Sequence, residues 1–132
     1  MKIFTFSVSV IVFFLNASCT SVSSSADLVG TWHTVQNEQI KSIFKSNNTY
    51  EVDFDGDGNT EVKGVYSVHG SRVAMSDLKG VQACSGELIG IYRYEINDDT
   101  LIFTLIEDGC EDRKNNTGSK WIKLASRRTA ME

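Results

Sequence analysis

Proline is absent from all 132 residues, so every chain reversal must rely on Gly, Asn, Asp and Ser. Histidine occurs only at His33 and His69, and neither has a Cys or carboxylate at a metal-ligand spacing. Basic residues are outnumbered, thirteen against seventeen acidic ones, and the net charge is −4. No stretch clusters Lys and Arg, which argues against a nucleic-acid partner, because phosphate neutralisation needs such a cluster. There is no nucleophile elbow, no phosphate-cradling Gly loop and no Ser-His-Asp constellation, so no catalytic residue is assigned and no enzymatic activity is expected. No segment carries a convincing helical period.

What is present begins with a leader. Met1-Lys2 is followed by Ile3 to Leu15, an apolar run interrupted only by Thr and Ser. At about 13 residues it is too short to span a bilayer as a helix. One positive charge, a short apolar stretch and then the small residues Ala17-Ser18 predict a secretory signal peptide over 1–18. Three cysteines are an odd number for an exported chain. Leu15-Asn16-Ala17-Ser18-Cys19 resembles a bacterial lipobox, which implies a lipidated Cys19 and attachment to a membrane. The alternative is ordinary cleavage at Ser24-Ser25-Ala26 and a soluble secreted protein. Residues 19–27 then read as a Ser-rich tether. With Cys19 assigned to the anchor, Cys84 and Cys110 remain as a disulfide pair in an oxidising compartment. The remaining 105–115 or so residues suffice for one modest core, but not for a core plus a deep enzyme cleft.

From Gly30 onward the pattern has the strand period of two. Tyr50, Val52 and Phe54 alternate with Thr49, Glu51 and Asp53; Val62, Gly64, Tyr66 and Val68 alternate with Glu61, Lys63, Val65 and Ser67. Val73 and Met75 mark a further strand after a hairpin at His69-Gly70. Leu88, Gly90, Tyr92, Tyr94 and Ile96 share a face in a long strand over 87–96; Leu101, Phe103 and Leu105 follow. Residues 108–118 read as a polar loop, 120–124 as a last strand and 126–132 as a polar tail. About eight strands with regular turn signals predict an all-β chain, a small antiparallel up-and-down β-barrel over 28–125, with a two-layer sandwich as the alternative.

Leu28-Val29-Gly30-Thr31-Trp32 at the head of this series carries Gly-x-Trp, and the chain is similar here to the lipocalin-like (calycin) barrels. The resemblance implies that Gly30 and Trp32 close one end of the barrel. It also implies that a basic residue near the end of the chain (Lys123, Arg127 or Arg128) lies over the indole. A second similarity runs through Cys84-Ser85-Gly86, Gly90-x-Tyr92-x-Tyr94, Asp99-Thr100-Leu101, Asp108-x-Cys110-x-x-Arg113 and Trp121. It resembles bacterial lipocalin-like domains and implies an envelope location, periplasmic or outer-surface, without implying a reaction.

Two sites follow as expectations. Tyr50, Phe54, Tyr66, Met75, Tyr92 and Phe103 are expected to line the interior, where they either fill the core or surround a pocket for a small apolar ligand. Asp53, Asp55, Asp57 and Glu61 surround Gly56 and Gly58 in a pattern that supplies oxygens at alternate positions, as calcium loops do, or forms an acidic hairpin loop without an ion. Asp108, Glu111 and Asp112 read as a solvated rim. The expected activity is that of an exported, membrane-anchored binding protein for a small apolar ligand, with an envelope protein–protein interaction module or inhibitor as the alternative. An open interior of a few hundred Å³ favours the first; a filled interior with apolar residues exposed on the loops favours the second.

Overall fold

The computed structural model describes residues 24–125. The expected signal peptide, the lipidation site Cys19 and the tail with Arg127 and Arg128 lie outside them. A single helical turn, α1 (Ser25–Leu28), occupies the end of the expected tether, and Asp27 caps it by accepting from the Ser24 amide at 2.8 Å. Eight strands follow: β1 (Gly30–Thr34), β2 (Lys41–Phe44), β3 (Thr49–Asp53), β4 (Val62–His69), β5 (Arg72–Lys79), β6 (Gly90–Asn97), β7 (Thr100–Glu107) and β8 (Trp121–Lys123). A second helix, α2 (Glu111–Thr117), lies between β7 and β8.

Each strand pairs antiparallel with its neighbour in sequence, and β8 returns to β1, where Trp32 faces Lys123 and Thr34 faces Trp121. The sheet is a closed up-and-down barrel, compatible with the lipocalin-like architecture. Closure leaves no edge strand to recruit another chain. Alternation decides what is inside. Val62, Gly64 and Tyr66 of β4, Val73 and Met75 of β5, Tyr92 and Tyr94 of β6, and Leu101 and Phe103 of β7 point inward. Phe44 sits among the aromatics, with its ring edge-on to Tyr66 at 5.2 Å between centroids.

Two expectations change. β6 starts at Gly90, not at residue 87, and leaves Leu88 and Ile89 exposed in the preceding loop. The expected polar loop over 108–118 holds α2. Its seven residues are all polar, so it has no apolar stripe to register as a helical period, and it is held instead by Arg113 and Cys110. Cys110 is bonded to Cys84 across 26 positions, as expected. In the chain-entropy account a loop of that size restricts the unfolded chain by about 3.5 kcal/mol.

The barrel has two unlike ends. At the closed end, Leu28 and Trp32 are fully buried and the indole Nε1 donates to the Leu28 carbonyl at 2.8 Å, so Trp32 holds α1 in place. Lys123 supplies the expected basic residue, its Nζ 5.1 Å from the ring centroid. Gly30, at φ 142°, makes room for it: a Cβ there would lie 2.8 Å from Lys123 Cε. The opposite end carries the 35–40 and 54–61 loops, the β5–β6 loop with Cys84, and α2.

Candidate functional site

The open end is organised by a buried polar network centred on Arg113. Its Nε and Nη2 donate to the two oxygens of Asp108, each at 2.7 Å, in a bidentate pair. Nη1 donates to Asp77 Oδ1 at 2.9 Å and Nη2 also donates to the Leu88 carbonyl at 2.6 Å. The side chains are 5%, 4% and 0% exposed for Arg113, Asp77 and Asp108. Tyr50 donates its hydroxyl to Asp77 and Tyr92 donates to Asp108. Asp77 Oδ2 accepts the Cys84 amide and Asp108 Oδ1 accepts the Cys110 amide, both at 2.8 Å. The two carboxylates therefore join the barrel wall, α2 and both ends of the disulfide.

Local sequence explains the assembly. Asp77 continues the inward face of Val73 and Met75, the one acidic residue on that face of β5. Gly90 opens β6 with no side chain because a Cβ there would lie 2.8 Å from Arg113 Nε and still closer to the Asp108 carboxylate. Burial penalises the charged Asp108. The donations from Arg113, Tyr92 and Cys110 outweigh that and hold its carboxyl below the usual range. Burial raises the Tyr50 and Tyr92 phenols, and their acidic partners raise them further, so both remain protonated donors.

The expectation of a solvated rim is corrected for Asp108, which is buried and paired; Glu111 and Asp112 are exposed as expected. The signals for the network were an acid on an inward strand position, Asp77, and the spacing of Asp108 to Arg113. Neither Asp77 nor Arg113 was among the expected site residues.

Beneath α2 lies a cavity of about 40 Å³. Tyr50, Phe54, Met75 and Phe103 line it, as expected; Phe44 and Trp121 join them. Tyr66 and Tyr92 do not. Tyr66 points to the closed end and donates to the Lys45 carbonyl at 2.7 Å, and Tyr92 is drawn into the Asp108 pair. Phe54 lies just past β3 and is only half-buried at the cavity margin. Asp112 and Asn116 of α2 and Gln82 of the β5–β6 loop form the polar part of that margin. A drug-sized ligand needs roughly 300 Å³ or more, so the aromatics mostly fill the core.

The acidic loop is also brought together. One carboxylate oxygen from each of Asp53, Asp55, Asp57 and Glu61 lies within 4.8 Å of the others. These carboxylates also shape their own loop. Asp53 is buried, and its two oxygens accept from the Gly56 amide at 2.7 Å and the Gly58 amide at 3.0 Å. Glu61 accepts from the Phe54 amide at 2.8 Å.

Fold and site thus define a closed β-barrel plugged by Trp32 and Leu28 at one end and covered at the other by a charged, disulfide-tied cap over a small cavity. No protein-family model matches the chain, and no curated protein and no solved structure is significantly similar to it.

Proposed function

We propose that this is a non-catalytic interaction module of the bacterial cell envelope, exported, anchored through Cys19, and docking a protein partner at its open end. The observation that carries the reading is where the exposed apolar side chains lie. Among the described residues, Val35 follows β1, Leu78 and Val81 follow the buried part of β5, Leu88 and Ile89 precede β6, and Leu105 and Ile106 lie near the end of β7. These seven belong to the open-end half; the other three exposed large apolar residues, Val65, Ile102 and Leu124, lie along the wall or toward the closed end and are only 37–40% exposed. Val81 is 89% exposed and Leu78 64%. Apolar surface concentrated at one end of a domain with a filled interior favours a partner over a ligand. No helix among the described residues is long and apolar enough to cross a membrane; the anchor in this reading rests on the lipobox-like Leu15-Asn16-Ala17-Ser18-Cys19.

Site-specific photo-crosslinking in the producing cell tests this. A photoreactive residue at Val81 or Ile89 should give one discrete protein adduct, and one at Leu124 on the closed end should give none. Val81→Asp with Ile89→Asp should abolish the adduct at a neighbouring open-end position. Equal adducts from both ends would sink the reading. Cys19→Ala should move the protein from the membrane fraction to the soluble one; continued membrane association would reject the anchor.

A second reading, a small apolar ligand in the barrel mouth, is favoured by the aromatic walls of the cavity. Its limit is size. A cavity of 150 Å³ holds benzene, so about 40 Å³ holds roughly two carbon atoms.

A further inference from the structure

We propose that the cavity beneath α2 is an anchor pocket for the tip of one aliphatic side chain, Leu above all, on a partner segment that carries Lys or Arg beside it. This rests on the reading of the open end as a protein-docking face, and it names the chemistry that face recognises. A partner's most strongly held residue characteristically fills a small, dry pocket at the centre of the interface. The space of about 40 Å³ suits the two methyl groups at the end of a leucine and excludes most whole ligands. Phe44, Tyr50, Met75 and Phe103 give it apolar walls.

The charge at the margin selects what flanks the anchor. Arg113 lines the cavity, but its charge faces Asp77 and Asp108, so it does not present a free cation to a partner. Asp112 lines the same margin, is exposed, and forms no ion pair among the described residues. On the other side, Phe54 leads directly into the loop with the exposed Asp55 and Asp57. A cationic neighbour on the partner therefore meets carboxylates on both sides of the mouth. The side-chain amide of Gln82 offers a donor and an acceptor to the partner's main chain.

The test is a methyl-detected NMR titration of the purified protein with four probes: acetyl-Lys-Leu-Lys-amide, acetyl-Lys-Ala-Lys-amide, acetyl-Glu-Leu-Glu-amide and isobutanol. The Lys-Leu-Lys peptide should shift the Met75, Val52 and Val62 methyl signals. The Ala peptide should bind at least about tenfold more weakly, because the three carbons it lacks include the two methyl groups that would be buried in the pocket. The Glu-Leu-Glu peptide should be weaker than Lys-Leu-Lys, and Asp112→Lys, at an exposed position, should narrow that difference; an unchanged difference overturns the charge selection at this margin. Equal binding of the Leu and Ala peptides, or absence of Met75 shifts with all of them, overturns the proposal. So does isobutanol binding as tightly as Lys-Leu-Lys, which marks a small-molecule site. If the peptides fail while Val81→Asp with Ile89→Asp still abolishes crosslinking, the docking face stands and the anchor pocket falls. If the crosslinking pattern fails as well, both fall.

Discussion

Replacing Arg113 by Met should lower the unfolding free energy by about 3–5 kcal/mol, because it leaves two buried carboxylates without their cation. Chemical denaturation of the variant and the parent at neutral pH measures it. The expected cost comes mainly from the stranded charges and less from lost attraction. A triple variant, Arg113→Met with Asp77→Asn and Asp108→Asn, should therefore recover much of the loss. A triple variant no more stable than Arg113→Met would count against this account.

The same network fixes a pH dependence. Asp108 titrates below its ordinary value in the folded protein, so it binds fewer protons than the unfolded chain does around that value. Its contribution to stability is complete above the unfolded carboxyl pKa of about 3.9 and is lost as pH falls through the lower folded value. In Arg113→Met the sign reverses. A buried carboxyl without its cation titrates above the unfolded value, so stability should fall as pH rises from about 4. Denaturation midpoints between pH 4 and 7 should be nearly flat for the parent and should descend for the variant. Parallel profiles would mean that Arg113 does not set the charge state of Asp108.

The second large effect belongs to the other end. Trp32→Ala should cost about 3–5 kcal/mol, the usual range for emptying a buried aromatic site. It also removes the Nε1–H bond to the Leu28 carbonyl, so the α1 amides should lose their hydrogen-exchange protection selectively. Lys123→Met is the matched control. It keeps most of the stem over the indole and removes the charge together with the exposed Nζ donation to the Asp27 carbonyl at 3.3 Å, so about 0.5–1 kcal/mol should be lost. A Lys123→Met loss as large as that of Trp32→Ala would show that the charge, and not the packing of the ring, seals this end.

The two ends were not equally legible in the sequence. The closed end was legible through a local signal, a glycine with a tryptophan two residues on. The resemblance that this signal carries implied a basic residue near the end of the chain, without choosing among Lys123, Arg127 and Arg128. Strand after strand could be placed because an inward face needs apolar residues at every second position, as Tyr66 and Val73 illustrate. The open end depends on residues far apart in the chain. Arg113 reaches Asp77 across 36 positions and Leu88 across 25, and no spacing rule joins them. Asp108 looked solvated because its neighbours are polar, and its burial depends on a helix with no apolar face. Glycine at position 90 was visible, but the reason for it, two charged groups packed against the strand, exists only in the folded barrel. The acidic loop was legible as a cluster, and Asp53 was not legible as its buried clasp.

β1 begins and β8 ends at the closed end, where Trp32 pairs with Lys123. The described chain therefore enters and leaves the barrel on the same side. Whatever is joined at residue 24 or residue 125, whether an affinity handle, a fluorescent fusion or a sensor surface, attaches on the side of the tryptophan plug. The face with α2 and the disulfide is then presented outward in every such arrangement. Immobilising a protein that begins at residue 24 or one that ends at residue 125 by that end should thus leave its binding behaviour unchanged. Grafting at the His69–Arg72 hairpin mounts it from that same rear side, whereas an insertion in the β5–β6 loop would block the front.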